Sequence, residues 1–332
     1  QGSFDAPDSL YFGGNGAYNL NEAYATGNSS STVNQTSIRF VSGLTYNDDG
    51  TSLFAITQPD ELAQTTIYRY DLTDPYDLTT MSYSGDSLDI SGQDIVFNPD
   101  GTQLFVLTGS TTLQYELSPA YDITSVASTS FSASYDHGPE VGTSTPEGIT
   151  FSADGTKLLL ITAPDTTQSG FGTIYEYALS TAWDISTLSA TGITLPHVGY
   201  DLEFDRTGDR LFILTDDLLA GELFSGGGGE PLPYGFLQSY DLATPYDIST
   251  AATGTDAMSI FITSIFGPNY AGGEFSFATS FTFGQNGTQL VAAEIAGGDP
   301  LVADVREYRF RSRATGDLAG ANSLNDLVVD GL

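Results

Sequence analysis

Three aspartates stand at one equivalent position of a repeated phrase: Asp94, Asp201 and Asp326. Aligned on the residue three places later, the full set at that position is Gly43, Asp94, Gly148, Asp201, Ser280 and Asp326. The set beside it is Ser42, Gln93, Glu147, Tyr200, Thr279 and Asn325. Carboxylates brought together around an axis repel one another unless a cation or shared protons compensate. Hard oxygen ligands favour Ca²⁺ or Mg²⁺, so Ca²⁺ is the cofactor this set would take, at a structural or a catalytic centre. The competing reading has the same aspartates bonding to backbone amides of neighbouring repeats. A hydrolytic site would pair Glu147 or His197 with a metal-bound water, the histidine as general base. Both His137 and His197 fall in connections, where the plain reading is a surface or turn histidine. No G-x-S-x-G elbow, zinc-binding histidine pair or P-loop accompanies them.

The elements that must position these residues come from the repeat itself. Its clearest copy, Asp94–Ser125, reads DIVFNPDGTQLFVLTGSTTLQYELSPAYDITS. An apolar strand, a turn ending in Asp-Gly, a second apolar strand, a Tyr-x-Leu strand and an aromatic-Asp-Ile/Leu tag follow in order. Turn copies are Asp48-Asp49-Gly50, Pro99-Asp100-Gly101, Ala153-Asp154-Gly155, Arg206-Thr207-Gly208 and Gln285-Asn286-Gly287. Asp/Asn-Gly between apolar runs is a strong hairpin signal. Tags occur at Tyr76-Asp77, Tyr121-Asp122, Trp183-Asp184 and Tyr246-Asp247. Their aspartates recur once per repeat, which suits a side chain capping a tight turn. At Trp183 packing outweighs sugar stacking, because the other copies carry Tyr there.

Four strands in each unit of roughly 45 to 65 residues make the blade of a β-propeller. The chain reads as one all-β domain over 1–332, with a Gly-rich loop inserted at 218–236. The ends look complementary: Ala6–Phe12 and Tyr18–Tyr24 resemble second and third strands, while Leu324–Gly331 resembles a first strand. The expectation is therefore a six-bladed propeller of four-stranded antiparallel blades, closed by N- and C-terminal strands. A five- or seven-bladed ring is the alternative. If Asn325–Leu332 entered a neighbour instead, subunits would chain by strand addition.

Composition narrows the function classes. Forty-two acids face nine bases in 332 residues, for a formal net charge of -33. Nucleic acid and anionic membrane surfaces are repelled by such a surface. Lys157 is the single lysine, and the acid excess suits salty, marine or halophilic surroundings, where screening relieves self-repulsion. Cysteine is absent, which removes disulfides and thiol chemistry. No apolar run reaches the ~20 residues of a membrane-spanning helix. A start at Gln1-Gly2-Ser3 suits a processed, exported protein. Half of the arginines crowd into Val305–Arg313, and Arg309, Arg311 and Arg313 share one face of a strand. They are candidates for an interface with an acidic patch on another subunit, or for local charge balance.

The runs NPDGTQLFVL and YELSPAYDITS resemble the repeats of secreted bacterial β-propellers of the WD40-like and YVTN-type surface class, from about Ser42 to Arg313. The segment Thr145–Phe151 (TPEGITF) is similar to the first strand of lactonase-like and gluconolactonase-like propellers. In that family a glutamate near this point helps bind a central divalent metal, which the resemblance carries to Glu147. The family's asparagine ligands have no recognisable counterpart here. The resulting expectation is a secreted or cell-surface structural or adhesive module. It would self-associate or bind glycans or protein partners, with a divalent-metal lactonase-like hydrolase as the alternative.

Overall fold

The computed structural model describes residues 23–30, 40–58, 65–163, 172–197, 199–216, 235–252, 259–261, 276–284, 287–296 and 302–310. Strand β1 is Ala23–Ser30. Blade 1 follows as β2 (Phe40–Tyr46), β3 (Ser52–Gln58), β4 (Thr66–Leu72) and β5 (Met81–Asp89). Blade 2 is β6 (Asp94–Phe97), β7 (Gln103–Thr108), β8 (Thr111–Glu116) and β9 (Ala133–Asp136). A one-turn helix, α1 (Gly138–Val141), leads to blade 3: β10 (Pro146–Phe151), β11 (Lys157–Thr162), β12 (Thr173–Leu179) and β13 (Leu188–Pro196). Blade 4 is β14 (Asp201–Phe204), β15 (Arg210–Asp216), β16 (Gly235–Asp241) and β17 (Ser259–Phe261). Blade 5 contains β18 (Ser276–Gly284), β19 (Gln289–Ala296) and β20 (Val302–Phe310). Its outermost strand is β1, antiparallel to β20 with Ala23 opposite Phe310 and Ser30 opposite Val305.

The protein is thus a propeller of four-stranded antiparallel blades, and among the described residues the blades number five. The expected sixth blade, and the seven-bladed alternative, are corrected by the seam. Inner strand β18 packs directly on inner strand β2. Thr279 Oγ1 donates to the Val41 carbonyl at 2.5 Å, and Gln289 Nε2 donates to the Tyr76 carbonyl at 2.6 Å. Blade 5 therefore meets blade 1 with no inner strand between them. The N-terminal region supplies one outer strand here, and the expected copies at Ala6–Phe12 and Leu324–Gly331 lie outside the described residues. So does the 218–236 insertion up to residue 234.

Why the second strand of each blade is a continuous apolar run is now clear. It is buried on both faces, and alternate residues feed opposite inter-blade cores. Leu53 and Ala55 pack with Val291, Ala293 and Val305 of blade 5, whereas Phe54 and Ile56 pack with Ile95, Phe97 and Leu104 of blade 2. Phe105 and Leu107 meet Ile149 and Phe151; Leu159 and Ile161 meet Leu202 and Phe204; Phe212 and Leu214 meet Phe281 and Leu290. Five cores serve five blade–blade junctions. Each fully buried large side chain among them contributes about 1.5–3 kcal/mol by leaving water.

The Asp-Gly turn and the tag are two halves of one clamp. The tag aromatics Tyr76, Tyr121, Trp183 and Tyr246 hold φ between 57° and 62°, a left-handed backbone that bulky residues rarely adopt. Each ring lies against its own blade's turn glycine. A Cβ on Gly101 would sit 2.2 Å from the Tyr121 ring, and one on Gly155 would sit 2.2 Å from Trp183. The hydroxyls of Tyr76, Tyr121 and Tyr246 donate to the turn carbonyls of Asp48, Pro99 and Arg206. Behind each aromatic, the tag aspartate caps a 3₁₀ turn: Asp77, Asp122, Asp184 and Asp247 each accept from the amide two residues on. Capping is the role their position suggested, and the Trp183 ring is packed as expected, 5.0 Å from Phe151.

The single lysine latches blade 3 to blade 4. Lys157 Nζ donates to the Tyr246 carbonyl at 2.8 Å and pairs with the buried Glu176 at 3.3 Å. Gln289, first in its strand like Lys157, makes the corresponding bond from blade 5 to blade 1.

The clamp separates two costs of substitution. Gly101 (φ 68°) meets the Tyr121 ring, whereas Gly192 (φ 78°) on the outer strand has open space where a Cβ would go. We expect Gly192→Ala to cost about 1 kcal/mol from backbone strain alone. Gly101→Ala should cost about 3 kcal/mol or more, because the ring must also move. Denaturant midpoints of the two variants check this, and equal losses would refute the clamp.

Candidate functional site

The inner strands β2, β6, β10, β14 and β18 form the wall of the central channel. Each leaves one edge without a strand partner, so its amides need other acceptors. Blades 2 and 4 supply them as carboxylates. Asp94 Oδ1 accepts from its neighbour Ile95 N at 2.7 Å, and Oδ2 reaches Ile149 N of blade 3 at 2.8 Å. Asp201 Oδ1 accepts from Leu202 N at 2.7 Å. Its Oδ2 accepts from Ser280 Oγ at 2.7 Å and Phe281 N at 3.0 Å, both in blade 5. The amide-bonding reading of these aspartates is what the distances describe.

The alternation of the ring has a steric cause. A Cβ on Gly43 would lie 2.6 Å from Asp94 Oδ1, and one on Gly148 would lie 3.1 Å from the Asp201 Cα. Each glycine leaves room for the carboxylate of the next blade. Gly-Asp-Gly-Asp cannot close on an odd number, and the fifth position is Ser280, small enough for the seam and able to donate to Asp201.

A fourth axial carboxyl was missed from sequence. Glu203 follows Asp201 on the same face of β14, and Oε2 accepts from Phe283 N of blade 5 at 3.2 Å. The signal was present: at this position the other inner strands carry Thr45, Val96, Thr150 and Thr282. Period-two alternation puts residue 203 on the side already assigned to 201. Its ordinary packing neighbours concealed it.

These carboxyls share one electrostatic condition. Asp94 and Asp201 are only 3% and 5% exposed. Burial raises Asp94 well above the usual carboxylate range, and the nearby Asp201 and Glu203 push the same way. Burial lifts Asp201 to about 7 against the pull of its three hydrogen bonds, and lifts Glu203 to about 8 with help from Asp201. Glu147 sits at a bulge that opens β10, between Pro146 and Gly148. Burial alone raises it to about 7. Near neutral pH such groups can exchange protons or donate hydrogen bonds as acids. Asp94, Asp201, Glu203 and Glu147 are the carboxyl oxygen donors that the described inner strands carry. No three His, Cys, Asp or Glu side chains among the described residues are arranged to hold a metal ion.

The remaining candidates are dispersed. His197 follows β13, and its Nε2 is hydrogen-bonded to Gln238 Oε1 on the third strand of blade 4 at 2.8 Å. Its ring stands edge-on to Tyr240. His137 lies in the connection before α1 as expected, but it is fully enclosed rather than at the surface. Arg309 lies on β20 beside the buried Glu307, to which its Nε donates. That strand is covered by β1. Asp326, Arg311 and Arg313 lie outside the described residues.

No protein-family profile matches the chain, and no curated protein matches it in sequence. Among solved structures, a candidate 6-phosphogluconolactonase from Bacteroides fragilis aligns with 11% identity and a TM-score of 0.42. That alignment covers 65% of this chain and 54% of the other, so the chain spans about half of that protein. A second candidate 6-phosphogluconolactonase, from Bacteroides uniformis, aligns with 14% identity and a TM-score of 0.38, covering 80% and 72%. A functionally unknown protein from Desulfotomaculum acetoxidans gives 11%, 0.40, 77% and 68%. The propeller assignment rests on this chain's own strand pairing.

The carboxyls set a pH profile. Asp201, Glu203 and Glu147 bind protons more tightly when folded, so they stabilise the fold below the ordinary carboxylate range. That contribution is lost as pH rises through about 7 to 8. The turn aspartates Asp49, Asp77, Asp100, Asp154 and Asp247 are held low by their hydrogen bonds and lose their contribution only in stronger acid. Melting temperature is therefore expected to climb from pH 8.5 to roughly pH 5 and then fall. Glu203→Gln should flatten the climb by about one proton's worth of slope. Calorimetry across that range tests it, and a profile that rises with pH would contradict the assignment.

Proposed function

We propose that the chain is a non-enzymatic structural or adhesive propeller, exported to the cell surface or the extracellular medium. It self-associates or binds glycans or protein partners there. The observation that carries this reading is the internal use of the repeated polar groups. Tag aspartates cap turns, tag hydroxyls bond turn carbonyls, and the axial aspartates bond neighbouring amides. The polar groups that recur among the blades thus serve the scaffold, leaving the outer surface for recognition. Net charge of -33 favours cations, neutral glycans and basic patches over nucleic acid or anionic membranes. Light scattering over a dilution series, run beside a glycan array, is the test. The reading expects concentration-dependent mass or sugar binding; a monomer that ignores every glycan and shows catalytic turnover would refute it.

One observation favours a second reading, a divalent-metal-dependent lactonase-like hydrolase acting at the channel. Glu147 is a half-buried carboxyl at the start of an inner strand, and no hydrogen bond or charge contributes to its shift. Titration with Ca²⁺ by calorimetry should then show one site, weakened at least tenfold in Glu147→Gln and in Asp201→Asn. Unchanged calcium binding in both variants would eliminate this reading, as would an absence of heat in the unaltered protein.

A further inference from the structure

Residues that do not recur are the place to look for behaviour beyond the scaffold, and the most unusual group lies between blades 2 and 3. Between blades 1 and 2 the outer strand β5 runs on through four residues to the inner strand β6. Between blades 2 and 3 the chain bends through an elbow, Asp136–Gly142, containing α1 with Pro139 in its first turn. Gly142 turns the chain out of α1 at φ 63°.

His137 is the pin of this elbow. Its exposure is 0%, as is that of its neighbours Thr112 and Tyr177. The ring lies 4.9 Å from the Tyr135 ring and 4.7 Å from the Tyr177 ring, so it joins blade 2 to blade 3. Nε2 is hydrogen-bonded to Thr112 Oγ1 at 2.9 Å on β8. The other nitrogen, Nδ1, has no partner within the protein. Two more buried atoms in the same cluster are unpartnered: Glu140 Oε2 and the Tyr177 hydroxyl. The other Glu140 oxygen is 3.4 Å from the Tyr135 hydroxyl.

The accounting differs between the two states of the ring. A neutral imidazole needs one donor bond and one acceptor bond, and it can leave an acceptor nitrogen against aromatic carbon at modest cost. An imidazolium carries two N–H donors and a charge. In this cage Nδ1–H would meet no acceptor, and enclosing an unpaired charge is expensive. Glu140 Oε2, buried in the same cluster, is an acceptor without a bond.

We infer that the Asp136–Gly142 elbow is an acid-sensitive joint, in which protonation of His137 leaves an unpartnered Nδ1–H inside the cage and loosens blade 2 from blade 3. The groups that face the ring are Tyr135 and Asp136 from β9, Glu140 from α1, and Tyr177 from β12 with Tyr175 close to it. Thr112 is the neutral contact from β8. Asp136 is the group that favours the imidazolium, but its Oδ1 is already bonded to Gly138 N and Ser110 Oγ. Burial outweighs it and lowers His137 to about 4. A base held below its unfolded value stabilises the fold above about 6.5 and loses that contribution as pH falls toward 4. The elbow leads directly into β10, which carries Glu147 at its start and the Ile149 amide bonded to Asp94. Acid opening would thus be felt at the channel wall.

Two measurements test the joint. In the unaltered protein, the His137 imidazole followed by NMR should titrate at least one pH unit below the ordinary histidine value; titration near 6.5 overturns the proposal. Hydrogen exchange, corrected for intrinsic rates, should show protection of the amides of His137 and Val141 falling at least tenfold between pH 6 and pH 4. Protection at Leu211–Leu214 in blade 4 should hold. His137→Gln, which can still bond Thr112 but takes up no proton in this range, should abolish the elbow's extra loss. An equal loss in that variant, or a uniform loss across all blades, refutes a local joint. If His137→Gln does not fold, the imidazole titration decides alone.

Discussion

The ring stands on a bond between a carboxylate in one blade and a backbone amide in the next. An inner strand in a propeller has a bare edge, and here no further strand pairs with it among the described residues. Asp94, Asp201 and Glu203 meet that need by accepting from Ile149, Phe281 and Phe283. The solution has a steric requirement on the preceding blade, seen at Gly43 and Gly148. It also has an electrostatic one, because enclosed carboxyls near one another resist ionising together. Blade geometry, ring number and the protonation of the channel are therefore one problem. A donor such as Ser280 at the odd position completes the circuit that an alternation of two residue types leaves open.

Much of the blade was legible because its signals are local. Asp100-Gly101 between apolar runs, Tyr115 in the third strand and Tyr121-Asp122 after it each follow from backbone preference or burial. The turn-to-tag contact was not legible, since it joins Gly101 to Tyr121 through a left-handed aromatic that no propensity anticipates. Blade number failed for a different reason. Repeats at the termini look alike whether they complete a blade or only border one, and pairing across the seam is a long-range fact. The Thr279–Val41 bond decides it, and the two residues stand 238 positions apart.

Site residues divide along the same line. Asp94 and Asp201 were found by aligning repeats, since their position recurs. Their partners were not, because a hydrogen bond to the adjacent blade's amide leaves no mark on the amide's own residue type. Glu203 and His137 were passed over because they do not recur. His137 looked like a loop residue, and its burial comes from Tyr135 and Tyr177 closing on it from two blades. Burial of that kind depends on how blades meet, which no single segment encodes.

Around the ring, the departures from the repeat are unevenly placed among the described residues. The elbow at Asp136–Gly142, Glu147 and the Asp201–Glu203 pair all fall between the end of blade 2 and blade 4. Blade 1 carries few of them: its axial position is Gly43 and its corresponding inner-strand residue is Thr45. A repeat under scaffold constraint alone would drift evenly, since every junction solves the same packing problem. Buried titratable groups themselves are spread wider, with Asp94 at the start of blade 2 and Glu307 in blade 5, so what clusters on this arc is departure from the repeat. The titratable groups of this arc respond to protons, through the burial that shifts Asp201, Glu203, Glu147 and His137.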